Sequence, residues 1–308
     1  MTSFAFKVIR FGFSRLEALS PRLSGSLAFK LFCRTPGRQP KGAKAKRVFV
    51  AGQQKLANAK IVRLPTSAGS VGTYHLGSGT DQRAVPRLLL VHGWGSRAEY
   101  LTDLAFGLSA VGAEIVMLDL PGHGASSGRR LDLRLAAEAI GACERHYGPF
   151  DGVVGHSFGG AAVMTAAGGV FGDRSSLGAG RIVLIGAPSS MGEVFAGFAS
   201  AIGLGRPSMT AMRQRAEDYV GVSVEQLDTV TAARRIDRPL LVIHAEDDKE
   251  VNVGHAQRYI GLSPKVRHLW ANGHGHRRIV SALEVIDAVA DFLVRDQAIE
   301  AKLNRAVS

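Results

Sequence analysis

The chain has 308 residues, with 38 Lys+Arg against 26 Asp+Glu for a formal charge of +12, and 46% of its residues are hydrophobic. With a mean hydropathy of +0.08, this composition excludes a disordered, collagenous or coiled-coil chain, and the length suits one large domain or two small ones. Residues 1–63 carry 14 Lys+Arg and a single acid, Glu17, whereas residues 64–308 net to −1, so a uniformly basic nucleic-acid-binding fold is excluded.

Residues 1–47 form an arm of their own kind. It starts by interleaving apolar and basic positions (Phe4, Phe6, Lys7, Ile9, Arg10, Phe11) and becomes Pro- and Lys-rich from Arg34 to Arg47. Six of the 14 Phe lie before residue 35, more aromatic side chains than an exposed tail carries. The arm is expected either to pack as a first helix on the body or to contact a membrane surface.

From Lys60 the pattern becomes rhythmic. Lys60–Leu64 and Val71–Leu76 read as two short strands around a turn at Ser67–Ser70. Arg87–Val91 and Glu114–Leu120 read as strands buried on both faces, followed by Asp151–Gly155, Arg181–Ile185, Pro239–His244 and Val266–Trp270. Helical spacing occupies Tyr100–Leu108, Leu131–His146, Ser157–Ala167 and Ser281–Val294. Such alternation predicts a doubly wound α/β fold with a mostly parallel sheet. Residues 190–237 are helical and free of strand signals, so they read as a small cap inserted between two strands.

Two cysteines, Cys33 and Cys143, make neither a disulfide framework nor a metal-ligand pattern. No apolar run is long enough to span a bilayer, and Lys7 and Arg10 interrupt the apolar run that a secretory signal needs. A reducing, cytoplasmic setting is expected, with membrane association through the arm as the alternative.

The chemistry concentrates in four motifs. Gly155-His156-Ser157-Phe158-Gly159 is G-x-S-x-G between a strand and a small-residue helix. Such a turn holds a serine nucleophile out at the sheet's carboxyl edge, with helix N–H groups behind it for a developing oxyanion. One donor would be the N–H of Phe158. The loop His92-Gly93-Trp94-Gly95 after an early strand would supply the other from Trp94. His92, His123 and His156 are expected to be structural.

Glu246-Asp247-Asp248-Lys249-Glu250 places four acids in five positions at a strand's carboxyl end. Further on, Asn272-Gly273-His274-Gly275-His276 puts a glycine-framed histidine before the last helix, where a general base could reach the serine.

These motifs, with Asp119-Leu120-Pro121-Gly122-His123-Gly124-Ala125-Ser126 and the run Gly273–Ile279, resemble the α/β-hydrolase family over about residues 60–300. The similarity is to bacterial serine hydrolases of the H-G-W-G, G-H-S-x-G-G and G-x-G-H-R-R-I type. The resemblance implies a hydrolase domain over 48–308 with a cap at about 190–237. It implies Ser157 as nucleophile, His276 as base and Asp248 as acid.

Ala245 stands where the family has a glycine, which keeps Asp247 as the alternative acid; the doubled histidine keeps His274 as the alternative base. The function expected is cleavage of carboxylic esters through an acyl-serine. An acyltransferase or thioesterase on the same residues is the alternative, as is a membrane-peripheral protein acting through its arm. The expected partner is a small acyl ester, with no nucleic acid, cofactor or metal. Trp94, Phe158, Met191, Phe195 and Phe198 could line an acyl pocket or serve as core.

Overall fold

The computed structural model describes residues 4–77, 85–172 and 175–296; the final residues of the expected hydrolase domain, 297–308, lie outside them. In chain order the elements are α1 (Phe4–Leu19), α2 (Pro21–Phe32), α3 (Ala43–Lys55), β1 (Lys60–Thr66), β2 (Gly69–Leu76), β3 (Arg87–Val91), α4 (Thr102–Ala110) and β4 (Glu114–Leu118). They continue with α5 (Leu133–Tyr147), β5 (Gly152–His156), α6 (Phe158–Ala167), β6 (Arg181–Ile185), α7 (Met191–Ile202), α8 (Arg206–Val220) and α9 (Thr229–Ile236). The remaining elements are β7 (Leu240–His244), α10 (Gly254–Gln257), β8 (Val266–Trp270), α11 (Gly275–Arg278) and α12 (Leu283–Ala290).

Two compact units divide the chain, one formed by Met1–Arg34 with Ser190–Thr231 and the other by Thr35–Ser189 with Ala232–Ser308. The larger contains an eight-stranded sheet in the order β1-β2-β4-β3-β5-β6-β7-β8. β1 and β2 form an antiparallel hairpin, β2 runs antiparallel to β4, and β3 to β8 are mutually parallel. Strands β5, β6 and β7 are buried at every position, whereas the edge strand β8 is not. This is why the central runs read as unbroken apolar segments.

Alternate residues of the central strands, among them Leu88, Leu90, Ile115, Val183 and Ile243, bury one face in a core with Leu104 and Leu108 of α4 and Val285 and Val289 of α12. β4 ends at Leu118, two residues before the sequence suggests. Asp119 still donates its N–H to the Gly72 carbonyl of β2 at 2.9 Å, and its carboxylate accepts the N–H groups of Ala98 (2.9 Å) and Ala125 (2.7 Å).

From β3 the chain passes to β4 on one side, and β5 then takes up the other side of β3. The carboxyl ends of β3 and β5 therefore flank the crevice where the winding reverses, the place at which open α/β sheets bind ligands.

The smaller unit is all helical. α2 lies against α8 so closely that a Cβ at Gly25 would fall 2.5 Å from the Met212 nitrogen. Phe29 meets Tyr219 edge-on at 5.7 Å between ring centroids, and Phe32 meets Phe195 and Phe198 at 4.9 and 5.1 Å. Both cap phenylalanines thus contribute to packing within this unit. Glu17, the arm's one acid, accepts the Gly205 N–H at 2.8 Å. Its charge therefore sits at the positive end of α8.

Candidate active site

The turn from β5 into α6 puts Ser157 at φ 54°, ψ −126°, a left-handed-side conformation that costs a non-glycine residue about 1–3 kcal/mol. Sheet contacts hold it there: the Ser157 N–H donates to the Ile185 carbonyl at 2.8 Å, and its own carbonyl accepts the Gly160 N–H at 2.9 Å. Two neighbours must be glycine because other atoms pass too close. A Cβ at Gly159 would lie 2.4 Å from the Val91 carbonyl oxygen, and one at Gly93 would lie 2.7 Å from the Ser157 Cβ.

His276, on α11 after β8, brings Nε2 to 2.9 Å from the Ser157 Oγ, and its Nδ1 lies 2.7 Å from Asp248 Oδ2. The Asp248 side chain is 1% exposed. Burial alone would raise its pKa. The hydrogen bonds from His276, Val251 and Glu250 outweigh burial and hold the carboxyl below its ordinary range. Oδ1 takes the N–H groups of Glu250 (2.8 Å) and Val251 (2.9 Å), which leaves Oδ2 for the imidazole.

The two alternative residues face elsewhere. Asp247 Oδ1 accepts the Gly273 N–H at 2.9 Å, and His274 Nε2 lies 3.1 Å from Glu284.

All four acids of the loop after β7 are engaged by the segment 272–277. Glu246 exchanges hydrogen bonds with Asn272 at 2.8 and 3.0 Å, Asp247 holds Gly273, Asp248 holds His276, and Glu250 takes the Arg277 guanidinium at 2.7 Å. The acidic density is therefore a latch between two loops, and it fixes where His276 stands.

The loop after β3 carries Trp94, whose ring meets Phe158 edge-on at 5.6 Å and His123 at 5.9 Å. Phe158 opens α6, so its N–H has no acceptor within the helix. His123 accepts the Gly95 N–H on Nε2 at 3.0 Å, and its Nδ1 lies 3.0 Å from the Pro121 carbonyl. That pattern fixes a neutral imidazole, and burial lowers its pKa to about 3.

His92 is held the same way. Its Nε2 accepts the Leu120 N–H at 3.0 Å, and burial lowers its pKa to about 4. His156 Nε2 lies 2.9 Å from the His276 carbonyl oxygen, and burial brings this pKa to about 4 as well. Sequence reasoning took these three histidines as plain structure and missed what two of them hold: His123 fixes the Trp94 loop, and His156 fixes the backbone of His276. The only available signal was their adjacency to the motif glycines.

The alpha/beta hydrolase family model matches residues 88–292, which takes in β3 through the residues after α12. The chain belongs to this family. Among solved structures, the hydrolase is similar to Est1E from Butyrivibrio proteoclasticus, with a TM-score of 0.60 at 15% identity, covering 77% of this chain and 99% of that one. It is also similar to the esterase Pf2001 of Pyrococcus furiosus, with a TM-score of 0.57 at 19% identity, covering 84% and 98%. A membrane phospholipase A described as a bacterial virulence factor aligns with a TM-score of 0.58 at 18% identity, covering 81% and 91%. At these identities the likeness is one of fold. A search of curated proteins finds no match.

Proposed function

We propose that this hydrolase cleaves carboxylic esters of short to medium acyl chains through an acyl-serine on Ser157. The supporting observation is the unbroken line of contacts from Ser157 Oγ to His276 Nε2 (2.9 Å) and from His276 Nδ1 to Asp248 Oδ2 (2.7 Å). The esterases among its structural relatives favour the same reading.

In the first half-reaction the Ser157 oxygen attacks the ester carbonyl while His276 Nε2 takes the hydroxyl proton. Asp248, held ionised, accepts the Nδ1–H throughout and stabilises the imidazolium that forms. The N–H groups of Trp94 and Phe158 bind the oxyanion. Collapse of the tetrahedral species breaks the ester C–O bond, and His276 returns the proton to the departing alcohol. Water then repeats the sequence on the acyl-serine, releasing the acid and restoring Ser157.

The experiment is labelling with a fluorophosphonate together with a p-nitrophenyl ester series of increasing acyl length. Wild-type protein should label and hydrolyse, with the short and medium esters preferred. Ser157→Ala should lose labelling and about 10³-fold or more of the rate. Unlabelled wild-type protein, or an active Ser157→Ala variant, would refute the proposal.

A further inference from the structure

Thirteen large hydrophobic side chains are exposed among the described residues, and five of them, Val8, Phe11, Leu19, Leu23 and Leu27, lie on α1 and α2. They are arranged as stripes. On α1 the positions 8, 11, 15 and 19 fall on one face, with the Arg15 guanidinium over the Phe11 ring at 5.1 Å. On α2 the positions 23, 27 and 30 do the same.

The opposite faces of these helices are already occupied inside the helical unit: on α2 by Gly25 against α8, Phe29 against Tyr219 and Phe32 against Phe195, and on α1 by Glu17 at the Gly205 N–H and Arg10 beside Gly203. The exposed stripes therefore remain on the outside after the unit has packed.

Charge on this surface has one sign. Lys7, Arg15, Arg22 and Lys30 are all exposed, while Arg10, on the far side of α1, lies beside Gly203. Glu17, the only acid in residues 1–63, is turned to the Gly205 N–H. Apolar side chains standing among unopposed cations need a partner with an apolar interior and an anionic surface.

No helix among the described residues is long and apolar enough to cross a membrane. A face of this kind would therefore lie on a bilayer rather than cross it, its apolar stripes in the acyl boundary and its cations at the headgroups. A second copy docking by the same face would set cations against cations. A nucleic acid would meet the cations and leave Phe11 and the leucines without an apolar medium.

We propose that the α1–α2 face is a docking site for the surface of an anionic lipid bilayer. The inference stands on this face alone and is independent of the ester chemistry. Flotation of the full chain with vesicles tests it, comparing phosphatidylcholine alone with phosphatidylcholine–phosphatidylglycerol mixtures. The protein should float with the anionic vesicles, remain behind with the neutral ones, and be released as salt is raised.

Each exposed cation neutralised (Arg15→Gln, Arg22→Gln, Lys30→Gln) should weaken partitioning about fivefold, from roughly 1 kcal/mol per basic residue at the surface. Leu23→Glu/Leu27→Glu should abolish flotation while keeping the wild-type thermal transition, because both side chains already stand in solvent. The proposal is overturned if the wild type does not float with anionic vesicles, or if Leu23→Glu/Leu27→Glu floats like the wild type. It is equally overturned if the wild type instead forms a dimer, or binds DNA, in a manner that this double variant abolishes.

Discussion

At the scale of single residues, the site depends on backbone atoms held by side chains that take no part in the chemistry. His156 shows this best. Its Nε2 is engaged by the His276 carbonyl at 2.9 Å, its buried Nδ1 has no hydrogen-bond partner among the described residues, and its ring lies 5.0 Å from the His276 ring. An imidazole kept neutral by burial and donating one bond is a positioning device. His156→Leu is expected to lower kcat by up to about 100-fold, the cost of misplacing a reacting group by about an ångström, with KM little changed. His156→Gln, whose amide can still donate, should recover much of the loss. Equal defects in the two variants, or a change in KM alone, would assign His156 to folding instead. The same scale shows what the sequence could not resolve. Asp247 and Asp248 are adjacent acids of one loop, and only the direction of each carboxylate separates them: one takes the Gly273 N–H, the other the His276 ring. Ser157 and His276 stand out in the sequence because glycines frame them: those beside Ser157 admit closely passing backbone, and Gly273 and Gly275 beside His276 adopt φ values of 85° and 59°.

At the scale of elements, the central strands are legible as apolar runs because they are buried on both faces, and a run of that kind has few other uses. The partner of the arm was not legible. Residues 1–34 group with 190–231 through contacts that span most of the chain, and no local pattern announces them. Gly25 is the clearest instance: in the sequence it is one more glycine within a helical run, and in the fold it admits the backbone of α8. Gly25→Leu should therefore act on the helical unit. The added side chain would overlap the Met212 nitrogen, the Ser208 carbonyl and the Ala211 Cβ, all within 2.7 Å of a Cβ at that position. The backbones must separate, at a cost of about 1–3 kcal/mol. Limited proteolysis should then cut within residues 190–231 faster than in the wild type, while the parallel sheet stays protected. Wild-type cleavage rates in that segment would show that α2 and α8 are not held together by this approach.

At the scale of the whole molecule, the buried histidines make stability a function of pH. His92, His123 and His156 have folded-state pKa values lowered to about 4, 3 and 4, in each case chiefly by burial, whereas an unfolded histidine titrates near 6.5. Above that value neither state is protonated, and the three contribute nothing that varies with pH. As pH falls through 6.5 the unfolded chain takes up protons that the native fold refuses, so the native state loses ground. Each histidine costs roughly a kcal/mol per pH unit until its folded pKa is reached. The window therefore runs from about 6.5 down to about 4 for His92 and His156, and to about 3 for His123. Asp248 adds to the loss only at the lower end, since its depressed pKa gives stability that disappears as pH falls below the usual carboxylate range. Thermal or urea unfolding followed from pH 7.5 to 5 should show stability falling progressively below 6.5, with a net uptake of protons on unfolding near pH 5 to which His244 and His268, also lowered by burial, add and Glu99, Asp119 and Asp132, raised by burial, subtract. His123→Gln removes one titrating group from the set and should reduce that uptake by about one proton. A stability curve flat between pH 7 and 5, or one whose slope is unchanged in His123→Gln, would show that the loops after β3 and β4 open to admit protons without unfolding the sheet.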